Sequence, residues 1–435
     1  MASELDRFRL ALRDTPAVKE YGRVVEAVGL SIRSQGPQVA IGELCYVESP
    51  GLEPLPAEVV GFREGRVVLM PLGRGREITP GAIVRPARGP LTVPVGPGLV
   101  GRAVDAFGEP IDGGPRIAEQ DRVPTQRPAP NPLDRPLIRD VLPTGVRSID
   151  AMTTLGAGQR IGIFSGPGVG KSVLLGMMAR GSAADVAVIA LVGERSREVQ
   201  EFVSRDLGPG GMERSVVVVA TADEPALVRV QAAFTATAIA EHFRDEGKKV
   251  LLLFDSLTRV AMAQREVGLA AGEPPATRGY PPSAFAILPR LLERAGTAPR
   301  GSITGFYTVL VEGDDLQEPV ADAARSVLDG HIVLSRELAD AGIFPAVDVG
   351  RSISRIMRQV ISEEHQQLSQ RLRGHWALYE DAKDLIRIGA YQAGASREVD
   401  EAVAMRPRII EFLRQREHEV VSFDAAVASL GELYA

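Results

Sequence analysis

Arg160-Ile161-Gly162-Ile163-Phe164-Ser165-Gly166-Pro167-Gly168-Val169-Gly170-Lys171-Ser172 decides the fold of this chain, because an apolar alternating run stops at a glycine cluster and meets Lys-Ser. It reads as a strand, a P-loop and the start of a helix. Gly166, Gly168 and Gly170 let backbone N–H groups turn inward around phosphates, where a Cβ would collide with the ligand. Pro167, Val169 and Val173 complete the expected nucleotide cradle. Lys171 adds a mobile positive charge for the β- and γ-phosphates, and the Ser172 hydroxyl is placed to ligate Mg2+. The dipole of the following helix faces the same anion. Ser165 stands where the usual pattern opens with glycine; it is small, so the turn survives.

Such a loop needs a second strand carrying a carboxylate, and Lys249-Val250-Leu251-Leu252-Leu253-Phe254-Asp255 supplies one. A continuous apolar run is the mark of a strand buried on both faces of a parallel sheet. Its terminal acid then emerges at the carboxyl edge, where ligands bind. Asp255 is therefore the expected Mg2+ anchor, acting through water. In the bland alternative Asp255 caps the next helix and Lys171 is a solvated surface lysine; the two motifs in series argue against it. Between them Val186–Val192 reads as another buried strand, with Gly193-Glu194-Arg195 at its tip. Phosphoryl transfer to water needs a carboxylate that orients the attacking water and cations that absorb charge on the γ-oxygens. Glu194 fits the first need, and Arg195 and Arg259 fit the second.

Further runs carry a resemblance: Gly272-Glu273-Pro274-Pro275-Ala276-Thr277-Arg278-Gly279-Tyr280-Pro281-Pro282-Ser283, Leu328-Asp329-Gly330-His331-Ile332-Val333-Leu334-Ser335-Arg336, Ile353-Ser354-Arg355-Ile356-Met357 and residues 221–229. They resemble the type III protein export ATPases, relatives of the catalytic subunits of rotary ATP synthases. The likeness covers nearly the whole chain and is most specific from about residue 140 to 391. Residues 255–266 and 335–339 are more similar to the flagellar export ATPase than to the injectisome one.

The resemblance implies an α/β chain whose central P-loop (RecA-like) domain is a mostly parallel sheet flanked by helices, with a small N-terminal β-barrel and a C-terminal helical domain. It implies Mg2+-dependent ATP hydrolysis by a homohexamer that energises flagellar protein export. Arg355 matches the arginine finger that reaches the nucleotide of the neighbouring subunit. Phe344 matches an aromatic that packs on adenine; its structural alternative is a core phenylalanine. Glu194 matches the catalytic glutamate that non-catalytic homologues lack, and Arg195 and Arg259 match γ-phosphate contacts. The second adenine-facing aromatic of the rotary enzymes has no counterpart around residues 412–417, which leaves base selectivity open. The implied partners are further copies of the chain, a coiled-coil stalk protein, a regulatory negative-control protein, the export gate and export chaperone–substrate complexes. The implied place is the cytoplasm, peripheral to the inner membrane at the export apparatus.

Bulk properties agree with a large enzyme. The 435 residues suffice for two or three domains, and a net charge of −6 offers no polycationic surface for nucleic acid. A lone cysteine, Cys45, cannot form an internal disulfide and reads as a small buried apolar residue. The five histidines have no metal-ligand spacing, and no apolar run is long enough to span a bilayer. Along the chain, residues 21–90 hold short alternating segments broken by Gly and Pro, as in a small barrel. Residues 91–362 alternate strand-like and helix-like segments and hold every chemical motif. Residues 363–435 are charged and helix-like, with Phe423, Val427, Leu430 and Tyr434 as a core stripe.

Residues 1–20 form a separate segment in which Leu5, Phe8 and Leu12 make one apolar stripe, suited to packing back or to docking on a partner. The acids of residues 312–318 read first as a solvated loop, which the resemblance places toward a stalk at the ring centre. Two rivals from other classes are a hexameric RNA helicase and a nucleotide-binding subunit that does not turn over. Against the first, residues 1–93 are near charge balance and offer only Phe8, Tyr21, Tyr46 and Phe62 for base stacking, and Glu194 speaks against the second.

Overall fold

Alternation in the first third of the chain closes a barrel, because every second side chain must leave water. The computed structural model describes residues 20–73, 78–117, 121–311 and 317–435. Strands β1 (Gly22–Val28), β2 (Ser31–Gln35), β3 (Leu44–Glu48), β4 (Leu55–Arg63), β5 (Arg66–Pro71) and β6 (Ile83–Pro86) pair in the order β1-β2-β5-β4-β3-β6 and close on themselves. All these pairings are antiparallel. Irregular register between Val24 and Glu26 and between Val59 and Gly61 supplies the bends that closure needs. The interior holds Val24, Ile32, Val47, Val59, Leu69 and Val84, with Cys45 among them. Burial first, then the Glu43 carboxylate, pushes that thiol up to about 11, so it is an inert apolar residue, as expected.

Two compact units divide the structure. One takes the described residues up to Leu91 with Leu269–Glu273, and the other takes Thr92–Gly268 and Pro274–Ala435. In the second, β7 (Thr92–Val95) and β9 (Asp121–Pro124) form a separate ribbon. The main sheet is built from β8 (Arg102–Val104), β10 (Arg160–Ser165), β11 (Val186–Val192), β12 (Ser215–Ala220), β13 (Lys249–Asp255), β14 (Gly296–Thr297), β15 (Ser302–Leu310), β16 (Gly330–Leu334) and β17 (Ile353–Ser354). Its order is β17-β16-β10-β15-β13-β11-β12-β8, with β14 alongside β15. Only β14 and β17 run antiparallel. The sheet is therefore mostly parallel and flanked by helices, and the uninterrupted apolar runs are buried along their length. Strands β11 and β12 expose no residue.

The C-terminal helices Glu363–Arg387, Arg397–Leu413 and Phe423–Glu432 start alike. Ser362, Ser396 and Ser422 each accept a hydrogen bond from the amide three residues on, satisfying one free N–H of the first turn. Their apolar faces join the same core as the sheet through Leu372, Trp376, Phe412 and Leu430. The expected stripe is turned slightly: Ala426, Leu430 and Leu433 are buried, while Phe423, Val427 and Tyr434 are half-buried. Alanine at 426 lets that side of the last helix approach most closely. Trp376 lies against Gly350, where a Cβ would stand 2.9 Å from its Cδ1, and Arg406 covers the ring with Cζ 3.9 Å from its centroid. The stripe of residues 1–20 and the acids of 312–316 lie outside the described residues. No described helix is long and apolar enough to cross a membrane.

Candidate active site

Strand order explains why residues far apart in sequence meet. Strand β10 runs into the glycine loop, β15 lies beside it, β13 beside β15 and β11 beside β13, all parallel. Their carboxyl ends therefore present the P-loop, Thr308, Asp255 and Glu194 in a row, at the edge where doubly wound sheets bind ligands.

Ser165 closes β10 as a fully buried residue, so the loop proper begins at Gly166. Gly168 and Gly170 have φ of 76° and 86°, conformations that only glycine adopts without strain. Helix Lys171–Gly181 follows with Lys171 and Ser172 in its first turn and no acid there, which leaves its positive end to a ligand. Gly176 fixes this helix in place, since a Cβ there would meet the Asp206 carbonyl oxygen at 2.4 Å. The turn Phe202–Leu207 can thus press onto the back of the helix. Outside the loop, Arg336 donates to the Pro167 carbonyl at 2.8 Å.

Lys171 Nζ donates to Asp255 Oδ1 at 2.6 Å and stands 3.6 Å from Glu194 Oε1. The Thr308 hydroxyl donates to the same Asp255 oxygen at 2.7 Å. Burial works against the Lys171 charge, but the Asp255 and Glu194 carboxylates outweigh it and hold the ammonium's pKa above its ordinary value. Burial, reinforced by the Asp255 charge, pushes Glu194 up to about 7 against the pull of Lys171. Glu198 moves the other way: its hydrogen bond with the Glu194 carboxyl, aided by Arg195, holds it below the usual range. Glu194 Oε1 is buried without a hydrogen-bond partner. At the tip of β11, Gly193 makes room for the Arg259 side chain, which would sit 2.9 Å from a Cβ there.

A cavity of about 340 Å³ is lined by the glycine loop, Lys171, Ser172, Val173, Glu194, Arg195 and Arg259. The structure thus brings most of the sequence-predicted residues to one place. Arg195 reaches its rim with a largely exposed side chain 3.7 Å from Glu198. Phe344 is 45% exposed, so it is not a core phenylalanine. Its ring edge would be 3.4 Å from a Cβ on Gly170, which puts it against the end of the loop, and its carbonyl accepts the Gln415 amide at 2.9 Å. Phe412, by contrast, is buried in the core. Arg355 lines a different cavity beside β17, so a single chain does not bring it together with Lys171 in one pocket.

Sequence reasoning missed Thr308, Glu198, Arg205, Asp206 and Arg336. Thr308 had a signal: it is the one aliphatic hydroxyl in the run 306–310, and on a strand buried on both faces such a group gains from a partner. The others sit on short helices whose approach to the loop depends on tertiary packing.

The donor set suits Mg2+. Ser172 and Asp255 offer hard oxygens next to the loop, and no group of three or more His, Cys, Asp or Glu forms a chelating cluster among the described residues. A magnesium ion held here would complete its shell with phosphate and water oxygens, as it usually does.

Residues 145–354 match the nucleotide-binding domain of the ATP synthase alpha/beta family, residues 18–88 its beta-barrel domain, and residues 361–432 the T3SS EscN ATPase C-terminal domain. The chain is 53% identical over 421 residues to the flagellum-specific ATP synthase of Bacillus subtilis, covering 96% of each chain. It is 49% identical over 407 residues to the type 3 secretion system ATPase of Xanthomonas euvesicatoria, covering 93% of this chain and 92% of the other. Among solved structures it resembles the assembled ATPase EscN in complex with its central stalk EscO from enteropathogenic E. coli. That match has a TM-score of 0.87 and 43% identity, and covers 95% of this chain and all of the other.

Proposed function

The chain belongs to the ATP synthase alpha/beta family as a type III export ATPase, and on that premise we propose that it hydrolyses Mg2+-bound ATP in a homohexameric ring that energises flagellar protein export. One observation carries the reading: Lys171, Asp255 and a buried Glu194 oxygen that accepts no hydrogen bond converge beneath a glycine loop. The loop amides and Lys171 bind the phosphates, and Lys171 exchanges its Asp255 contact for a phosphate oxygen. Ser172 and Asp255 hold Mg2+, which when bound neutralises charge on the phosphates. Glu194, once ionised, accepts a hydrogen bond from the attacking water and orients it. Arg259 and Arg195 steady the γ-phosphate, Phe344 packs on the base, and Arg355 arrives from the neighbouring subunit.

The three-part division at residues 21–90, 91–362 and 363–435 belongs to this reading, as does a cytoplasmic location peripheral to the inner membrane. The stalk partner follows from EscN, which was solved assembled and with its stalk. A regulatory protein, the export gate and chaperone–substrate complexes are the remaining proposed partners. Flagellar export is preferred because the flagellar relative is 53% identical and the secretion-system relative 49%. The alternative, an injectisome ATPase, uses the same site.

Steady-state phosphate release measured against protein concentration tests the activity. A site shared between subunits gives a specific rate that climbs as rings assemble. Full activity in dispersed single chains, or none under assembling conditions, would sink the proposal. Affinity capture from the native cell separates the two systems: flagellar rod–hook export components support the preferred reading, and injectisome components overturn it.

A further inference from the structure

Strand register brings Arg336 to the glycine loop. Strands β10 and β16 run parallel with Ser165 opposite Leu334, so Pro167 and Arg336, each two residues further on, leave the sheet side by side. Arg336 Nη2 donates to the Pro167 carbonyl at 2.8 Å. It does so from outside, because Pro167, Gly168 and Gly170 line the cavity at the loop and Arg336 does not. The arginine stands on an anchored base. The Ser335 amide donates to the Ala346 carbonyl at 2.8 Å, the Ser335 hydroxyl accepts from the Leu338 amide, and Leu338 is buried. Next to Arg336, Glu337 Oε1 lies 2.5 Å from Lys383 Nζ and 2.9 Å from Arg387 Nη2, which ties the short helix Arg336–Asp340 to the long helix Glu363–Arg387.

What this contact controls follows from peptide geometry. The Pro167–Gly168 peptide is trans, so its C=O and N–H point in opposite directions across one plane. A carbonyl turned out toward Arg336 therefore turns the Gly168 N–H in toward the cavity. Packing does not choose this orientation: a Cβ built on Gly168 would meet nothing within 4 Å, and glycine takes either sign of φ at little cost. The two orientations are those of the two common turns with Pro-Gly at the centre, one with positive and one with negative glycine φ; here it is 76°. One contact from outside is enough to select between them. A cation on the carbonyl also polarises the peptide and strengthens its N–H as a donor.

We propose that Arg336 is a positioning residue of the phosphate site, which locks the Pro167–Gly168 peptide so that the Gly168 N–H is aimed at a bound phosphate, without touching the ligand itself. This rests on the phosphate role proposed for the glycine loop and adds to it a residue 169 positions away that sets the loop's donor pattern. Through Glu337 the lock is mounted on the C-terminal helices.

Inorganic tripolyphosphate is the probe, titrated calorimetrically into the full chain labelled with carbonyl-13C proline and 15N glycine. Only Pro–Gly amides then give a carbonyl-filtered NMR line, and Pro167–Gly168 is one of five such pairs in the chain. Arg336→Met keeps the apolar stem and removes the donor. It should weaken tripolyphosphate about 3–10-fold, the order of one hydrogen bond, and split or broaden the Gly168 line as the peptide samples both orientations. Arg336→Lys should restore a single line and most of the affinity. Arg336 is exposed, so both variants should keep the parental melting profile. Parental affinity in Arg336→Met overturns the inference, and so does weaker binding with an unmoved Gly168 line, which would leave only the loss of a nearby charge. If the parent binds no tripolyphosphate, or Lys171→Ala binds it as tightly, the loop reading itself falls and this inference with it.

Discussion

Lys171 Nζ and Asp255 Oδ1 are 2.6 Å apart in a nearly closed environment, so the cation proposed to bind phosphate and the carboxylate proposed to bind metal neutralise each other. Removing one partner of such a pair leaves the other desolvated. Lys171→Ala should destabilise the chain by ~3–5 kcal/mol at most, softened by the Thr308 hydroxyl, and lower kcat/KM by ~10²–10³. The double variant with Asp255→Ala should unfold later than the sum of the single effects predicts. A double-mutant cycle by denaturant unfolding checks the coupling, and additive losses would contradict it.

In the proposed mechanism Glu194 must be ionised to orient water, and burial lifts its carboxyl up to about 7. The kcat/KM of the free enzyme should therefore rise with pH to a plateau, with a midpoint near 7. Glu194→Gln should lose that limb and ~10²–10⁴ of rate. The sign for stability is opposite. An acid whose folded value is raised contributes stability that is complete below its unfolded value and is lost as pH climbs through about 7. Glu194→Gln should thus gain stability relative to the parent above neutral pH, which paired melting curves at pH 5 and 8 would measure.

Arg355 and Lys171 line separate cavities. If Arg355 serves the adjacent subunit, Arg355→Ala should cost ~10³–10⁵ in turnover, or roughly 4–7 kcal/mol of barrier. Mixing Arg355→Ala chains with Glu194→Gln chains should recover activity at hybrid interfaces, because some sites then combine an intact glutamate with an intact arginine. A co-assembled but inert mixture would rule this out.

Gly176 has no room for a side chain beside the Asp206 carbonyl. Gly176→Val should force the P-loop helix away from the Phe202–Leu207 turn and cost ~1–3 kcal/mol. A shift of the helix start should also weaken nucleotide binding. A variant with parental unfolding midpoint and parental ATP affinity would show that the backbone yields without cost.

Arg294 and Glu241 form a bidentate pair at 2.9 and 2.6 Å with side chains only 1% exposed, and Arg294 also donates to the Thr125 carbonyl at 2.7 Å. Arg294→Met alone should cost ~3–5 kcal/mol by stranding Glu241. Arg294→Met with Glu241→Leu should recover most of that loss in thermal unfolding; a double variant worse than the single would argue against stranding as the cause.

The parts of this architecture written most plainly in sequence are those with a single local cause. Apolar runs without interruption announced β11 and β13, and Gly168, Gly170 and Lys171 announced the loop, because buried parallel strands and phosphate turns each tolerate few residue types. Asp255 and Glu194 were legible as acids at strand tips. That they share one site with Lys171 was expected, but the contacts among them were not, since these depend on the order in which strands lie side by side, and sequence order differs from spatial order here. Arg336 reaching Pro167, or Thr308 reaching Asp255, rests on register between segments more than 50 residues apart. The small β8 strand at the sheet margin carried too short a pattern to be read.

Trp376 is the chain's single tryptophan, held against Gly350 and roofed by the Arg406 guanidinium. Intrinsic emission excited at the indole band therefore comes from one position, where the C-terminal helices meet the sheet core. Loss of that roof exposes the indole to water and should red-shift its light. An unlabelled optical gauge of this junction is built into the protein, and it can be followed in a stopped-flow instrument while ATP is added.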